Sequence, residues 1–308
     1  MISLFIGVLV LAHMNFKNVG LMAAEHNVRA SFSMARSLPE APDSMMIYET
    51  ITPGINESEL KTLMKAFGIN GKVTDRQRQY VVREGQKVLE IFKEPGTGYL
   101  RFSNDAKLGT EQKAENLPSR DEAVEKAKAF LEAQGMMHND MFLADVSYFE
   151  SAKYDSQSKT IEEGKSAIKV GFGFSLEGMK VEGPGAKASV VFGANSEIIG
   201  FSWIWRKMKP YKKVKIISPD EALAKFKRRW PAEGDPEQMK QAATNTRVNI
   251  KDVRLTYFAE PGCIPQMHVK PVYIFEGDYV VTRGTGENAV QEGDRFVIVV
   301  PAVPGEKE

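Results

Sequence analysis

The chain has 308 residues, enough for two or three units of ordinary domain size, with 43% hydrophobic residues as in a globular protein. Its 41 basic and 40 acidic residues leave a formal charge of only +1, so no global field recruits nucleic acid or an anionic membrane, and any such attraction is local. One cysteine, Cys263, excludes an internal disulfide framework and a zinc ribbon, and reads as a buried, inert thiol.

In chain order, residues 1–24 come first. Ile2 to Ala12 is almost wholly apolar, and a second apolar stretch ends in Met22-Ala23-Ala24 before Glu25. The run is about half of what spans a bilayer and matches a secretory signal cleaved after Ala24; an uncleaved N-terminal anchor and a buried strand are the alternatives. Residues 25–50 read as a linker or irregular segment, with Pro39 to Asp43 rich in proline and small polar residues.

Three segments then open alike, each with a capping residue, a glutamate three positions on and apolar residues at helical spacing. In the first, Asn56 caps with Glu59, and Leu60, Leu63, Met64 and Phe67 form one stripe before Gly68. In the second, Ser119 caps with Glu122, and Ala123, Ala127, Phe130 and Leu131 follow before Gly135. The third has Ser218, Pro219 and Glu221, then Ala222, Leu223, Phe226 and Trp230 before Pro231. After each helix the pattern turns to alternating, β-rich runs. These are Tyr80–Arg83, Val88–Phe92 and Tyr99–Phe102 in the first unit, and Ile168, Val170, Phe172 and Phe174 on one face in the second. A hairpin of Val190–Phe192 and Ile198–Trp205 follows. The third unit has Val253, Leu255 and Tyr257, then Val269–Phe275, a turn at Glu276-Gly277-Asp278, and Phe296–Val300. The expectation is an α+β fold of about three repeated units, each a helix packed on an antiparallel sheet, over residues 51–115, 116–212 and 213–308.

Ser119-Arg120-Asp121-Glu122-Ala123, the stretch from Leu176 to Ala186, and Ser218-Pro219-Asp220-Glu221-Ala222 resemble PepSY-like domains of peptidase propeptides and of bacterial cell-wall regulators of the YycH/YycI type. Val269 to Phe275 and Val300-Pro301-Ala302 are similar to the ends of such chains. The resemblance implies an extracytoplasmic, non-catalytic module that inhibits, chaperones or regulates a protein partner such as a hydrolase or sensor.

No chemistry-bearing motif competes with that reading. The histidines, His13, His26, His138 and His268, form no HExxH pair, no GxSxG elbow occurs, and no carboxylate pair stands out. No catalytic residue, metal ligand or cofactor is nominated, although an enzyme without a recognisable motif stays among the alternatives. Gly178 to Lys187 superficially resembles a phosphate loop, but Pro184 removes an amide donor and a strand follows, so a tight turn and bulge is preferred. Two stretches are candidates for interaction. One is the turn Glu182, Gly183, Pro184 and Gly185, facing a protein partner. The other is the basic and aromatic run Trp203, Trp205, Arg206, Lys207, Lys209, Tyr211, Lys212, Lys213 and Lys215, continued by Lys225, Lys227, Arg228 and Arg229. That run suits an anionic polymer or membrane surface; alternatively, the tryptophans pack under a sheet and the lysines keep an edge from aggregating.

Overall fold

The computed structural model describes residues 30–51, 56–110, 113–155, 159–229, 243–283 and 289–305. The expected signal segment 1–24, Trp230 and Pro231 lie outside them. In chain order the strands are β1 (Ala30–Met34) and β2 (Ser44–Thr50), then, after helix α1 (Glu57–Ala66), β3 (Lys72–Asp75), β4 (Gln79–Glu84), β5 (Lys87–Phe92) and β6 (Tyr99–Asn104). Helix α2 (Arg120–Ala133) leads to β7 (Met141–Asp155), β8 (Thr160–Leu176), β9 (Met179–Glu182), β10 (Lys187–Phe192), β11 (Ile198–Ile204) and β12 (Met208–Lys215). Helix α3 (Pro219–Arg229) precedes β13 (Ala243–Phe258), β14 (His268–Val269), β15 (Pro271–Arg283) and β16 (Val290–Pro301).

The three helices form where local chemistry dictates. Asn56 accepts from the Glu59 amide while the Glu59 carboxylate accepts from the Asn56 amide, both at 3.0 Å. Ser119 and Glu122 make the same reciprocal pair, and the Glu221 amide donates to the Ser218 hydroxyl at 3.1 Å. The stripes do bury. Leu60, Leu63 and Phe67 of the first helix and Ala123, Ala127 and Leu131 of the second join one core, with Phe67 and Phe130 rings 5.6 Å apart. Each fully buried large side chain there contributes about 1.5–3 kcal/mol, which is what holds helices this short.

The repeated α+β expectation is overturned. Strand accounts for 53% of the described residues and helix for 15%, and although many strands pair within one expected unit, β6 with β11, β9 with β13 and β2 with β12 and β14 pair across the expected boundaries. An antiparallel run β7-β8-β10-β11-β6-β5-β4-β3 joins strands of the first and second units, so α1 and α2 share its core instead of heading separate copies. Strand β9 then connects this run to the second: it pairs antiparallel with β8 and parallel with β13, which continues to β15 and β16, with β1 parallel on β13. Helix α3 covers that second region, its Phe226 stacked 4.6 Å from Phe275. The result is a mostly β protein with a large mixed sheet and a smaller three-stranded sheet, β12-β2-β14.

Two local readings change with it. Residues 25–50, read as linker, include β1 and β2; Met45 and Tyr48 of β2 enter a third core with Leu176, Val181, Tyr257 and Val269. The turn expected at Glu276-Gly277-Asp278 is the middle of β15, where Gly277 lies opposite Ile250 beside an irregularity in β13. A side chain at Gly277 would sit 2.0 Å from the Asn249 carbonyl oxygen, so the glycine serves close strand approach and not a reversal.

Candidate functional site

The eleven candidate interaction residues fall into two places, and only one of them is open to solvent. The first is a buried junction. Arg206, just past the end of β11, is 1% exposed. Its Nε donates to the Gly96 carbonyl at 2.7 Å, Nη1 to Glu260 at 2.8 Å, and Nη2 to both Pro261 and Ile264 at 2.7 Å. The planar guanidinium suits this work because its N–H groups spread in a fixed fork. Burial pulls the Arg206 pKa down to about 10 against the opposing influence of Glu260 and Cys263, leaving a cation at neutral pH; burial likewise pushes the Glu260 carboxyl up.

The glycine turn closes on the same loop. The Gly185 amide donates to Ala259 at 3.0 Å and the Ala259 amide to Glu182 at 2.9 Å. A Cβ on Gly185 would lie 1.9 Å from the Glu260 carbonyl oxygen and 2.7 Å from Arg206 Nη1. Gly183 holds φ +96° against Ala259 and Phe258, Pro184 alone of the turn is exposed, and the Glu182 carboxylate pairs with Arg254 at 3.3 Å. Trp205 stacks on Phe174 at 4.2 Å, and Trp203 meets the same ring edge-on at 5.3 Å and the His138 ring at 5.8 Å. Arg206, Trp205 and the turn from Glu182 to Gly185 therefore join the two sheet regions to each other, while Trp203 packs within the first. Arg206 is withdrawn from any role in a basic surface.

The second place is β12. Lys209, Tyr211, Lys212, Lys213 and Lys215 of this strand are exposed, as is Lys207 just before it, and Tyr211 is 58% exposed. The strand lies at the edge of the small sheet and, among the described residues, pairs with β2 alone. Lys209 bridges Glu49 at 3.0 Å, and the Tyr211 ring meets His268 of β14 at 4.9 Å, so a row of side chains crosses the sheet at this level. Among the described residues Lys207, Lys212, Lys213 and Lys215 make no ion pair.

Backbone geometry decides what the edge offers. The Ile51 amide bonds the Lys207 carbonyl and the Ile216 amide bonds the Asp43 carbonyl, which fixes the alternation at both ends of the β2 pairing. Counting inward, Lys212 and Val214 turn their backbone groups toward β2, whereas Met208, Pro210, Lys213 and Lys215 turn theirs away. Pro210, having no N–H, sits where a donor would face outward, as prolines in edge strands do. An irregularity between Pro210 and Lys212 makes Tyr211 the extra residue.

The sequence singled out these lysines as a basic and aromatic run, or alternatively as lysines that keep an edge from aggregating, but did not place a strand on them. The signal for a strand was there in Met208-Lys209-Pro210-Tyr211-Lys212-Lys213-Val214-Lys215: a lysine-rich run with a proline is what an edge strand carries. Lys225, Lys227 and Arg228 lie on α3, with Lys227 Nζ 5.6 Å from the centre of the Phe32 ring. Elsewhere among the described residues no group of three or more His, Cys, Asp or Glu side chains could hold a metal ion, and no helix is long and apolar enough to cross a membrane.

No protein-family model matches the chain, nor does any curated protein. Among solved structures, the crystal structure of an uncharacterized protein from Eubacterium rectale ATCC 33656 is similar over 92% of this chain and 91% of its own, at 13% identity and a TM-score of 0.46.

Proposed function

We propose that the chain is an exported, non-catalytic binding module and that β12 is the surface by which it contacts a protein partner outside the cytoplasm. The observation that supports this reading is an exposed edge strand with outward-facing backbone groups, three lysines that make no ion pair among the described residues and an exposed tyrosine, on a sheet whose other strands are built into the core. Export rests on the apolar Ile2–Ala12 run and the small residues ending at Ala24. A regulatory or inhibitory role of the PepSY-like kind fits a module that acts by contact. A second reading, binding of an anionic polymer or membrane surface, draws on the same lysines but has lost Arg206, Trp203 and Trp205 to the interior.

A photo-crosslinking residue placed at Tyr211, with a control at exposed Lys61 of α1, tests the reading in cells. The expected result is a protein adduct from Tyr211 that the control lacks and that disappears when Lys212, Lys213 and Lys215 are replaced with Ser. Adducts of equal yield from both positions, or an adduct indifferent to the three lysines, would refute it. Intact-mass analysis of the natural protein checks export, with a chain beginning at Glu25 in the medium or envelope as the expected outcome.

A further inference from the structure

We infer that β12 accepts an extended, acidic peptide segment as a fourth strand of the small sheet. The inference rests on the proposed contact role of β12 and specifies the chemistry of what is held there.

Two independent features of the edge converge on this occupant. The first is the outward-facing backbone at Lys213 and Lys215, each turning an N–H and a C=O away from β2, as the alternation fixed by the Ile51–Lys207 and Ile216–Asp43 bonds requires. Residues at this spacing are the repeat by which one more strand is added to a sheet, and the main-chain bonds are indifferent to the partner's side chains. Pro210 ends the usable stretch on one side, because an added strand finds no donor there. The docking length is therefore short, covering Tyr211 to Lys215.

Charge is the second feature, and it selects the side chains of the incoming strand. From Lys207 to Lys215 there are five lysines and no acidic residue, and among the described residues only Lys209 has a carboxylate partner, Glu49. Lys212 shares a face of the sheet with Ile47 and Glu49, whereas Lys213 and Lys215 stand opposite Met46 and Ser44 on the other face. Cationic groups thus flank the edge on both sides of the sheet. An added strand also alternates its side chains between the two faces, and directly opposed residues stand about 4.5–5.5 Å apart at Cβ, within reach of an ion pair. A segment with Asp or Glu at adjacent positions satisfies lysines on both faces at once. A helical acidic segment would present carboxylates but leave the outward backbone groups unpaired. A phosphate polymer could accept from the outward N–H groups but has no donor for the outward carbonyls.

The probe is a fluorescein-labelled octapeptide of Glu, Val and Thr, measured by fluorescence anisotropy against the full chain, beside the same peptide N-methylated at alternate amides. Inorganic polyphosphate and phosphatidylglycerol vesicles serve as polyanions without backbone donors. The expected result is binding of the octapeptide that weakens with added salt. N-methylation should weaken it about tenfold, from the loss of two backbone bonds. Replacing Lys212, Lys213 and Lys215 with Ser should also weaken it about tenfold, since three exposed ion pairs contribute a factor of about two each. Equal binding of the N-methylated peptide overturns strand addition, as does binding of polyphosphate or the vesicles without the octapeptide. If no probe binds while the Tyr211 crosslink still captures a protein, the linked segment is mapped by mass spectrometry. A segment without Asp or Glu runs then overturns the inference and leaves the contact role of β12 standing, whereas loss of the crosslink itself overturns both.

Discussion

Replacing Arg206 with Met retains a long apolar side chain and removes the guanidinium donors from the buried junction. Four carbonyls lose a bond, but they do not suffer equally. Gly96 also accepts from the Gln266 amide and Pro261 from the Ile264 amide, both at 2.9 Å, so these two keep a partner. The carbonyls of Glu260 and Ile264 lose the donor that Arg206 supplies. A buried acceptor left without a donor costs about 1–3 kcal/mol, and that cost falls mainly on the half-buried Glu260 because Ile264 is 47% exposed. Removing the cation relieves its desolvation and works the other way, so a net loss of about 2 kcal/mol is expected. Arg206→Lys restores the charge and at most three donors on a single atom, which cannot span acceptors spread over three residues of one loop and one of another, so it should recover about half of that loss. Urea unfolding followed by tryptophan fluorescence is the assay, since Trp205 stacks on Phe174 beside the junction. An Arg206→Met protein within about 0.5 kcal/mol of the original, with an unchanged denaturant slope, would refute the reasoning by showing that the junction is held by something else.

Two further outcomes follow from named contacts. Gly185→Ala should destabilise the protein by more than about 2 kcal/mol in the same assay, because its methyl group would stand 1.9 Å from the Glu260 oxygen and the Glu182–Ala259 bonds fix both backbones in place. At alkaline pH, stability should fall from about pH 10 upward. Burial pushes the Tyr273 and Tyr48 hydroxyls up to about 12 from 10.0, so between those values the unfolded chain has released protons that the folded chain retains, and rising pH favours unfolding. Tyr273→Phe should shallow that decline in a thermal-melting series from pH 8 to 11, at the cost of the 2.9 Å bond its hydroxyl donates to the Ile217 carbonyl.

The parts of the fold legible in the sequence are those whose causes are local. A cap, a glutamate three residues on and an apolar stripe are contained within one helix, which is why α1, α2 and α3 begin at the residues their sequences mark. The hairpin of β10 and β11 was legible for the same reason, its connection being five residues long. Assembly was not. Nothing near Tyr99–Phe102 signals that it will pair with β11 rather than close a unit with its own helix, and nothing near Met45-Met46-Ile47-Tyr48 points to partners at Met208–Lys215 and His268. Arg206 shows how this misleads at a site. Its neighbours in sequence are lysines and aromatics, which make it one more cation of a basic patch, yet loops from Gly96 and Glu260 supply the carbonyls that enclose it. Lys212, Lys213 and Lys215 could be nominated as exposed from their charge alone, whereas the direction of their backbone groups depended on knowing β2.

The pairing of β1 and β2 has a consequence for how the protein is made. Ala30 opposes Thr246 and Met46 opposes Lys213, so β1 and β2 leave the ribosome well before the strands they pair with. At about 5–20 residues per second, the chain between Ala30 and its partner takes roughly 10–40 s to appear. Until Met208–Lys215 has appeared β2 lacks β12, and until Ala243–Phe258 has appeared β1 lacks β13. Shortening the protein from its tail would accordingly free its front end first: a chain stopped before Ala243 has no strand against which β1 can lie.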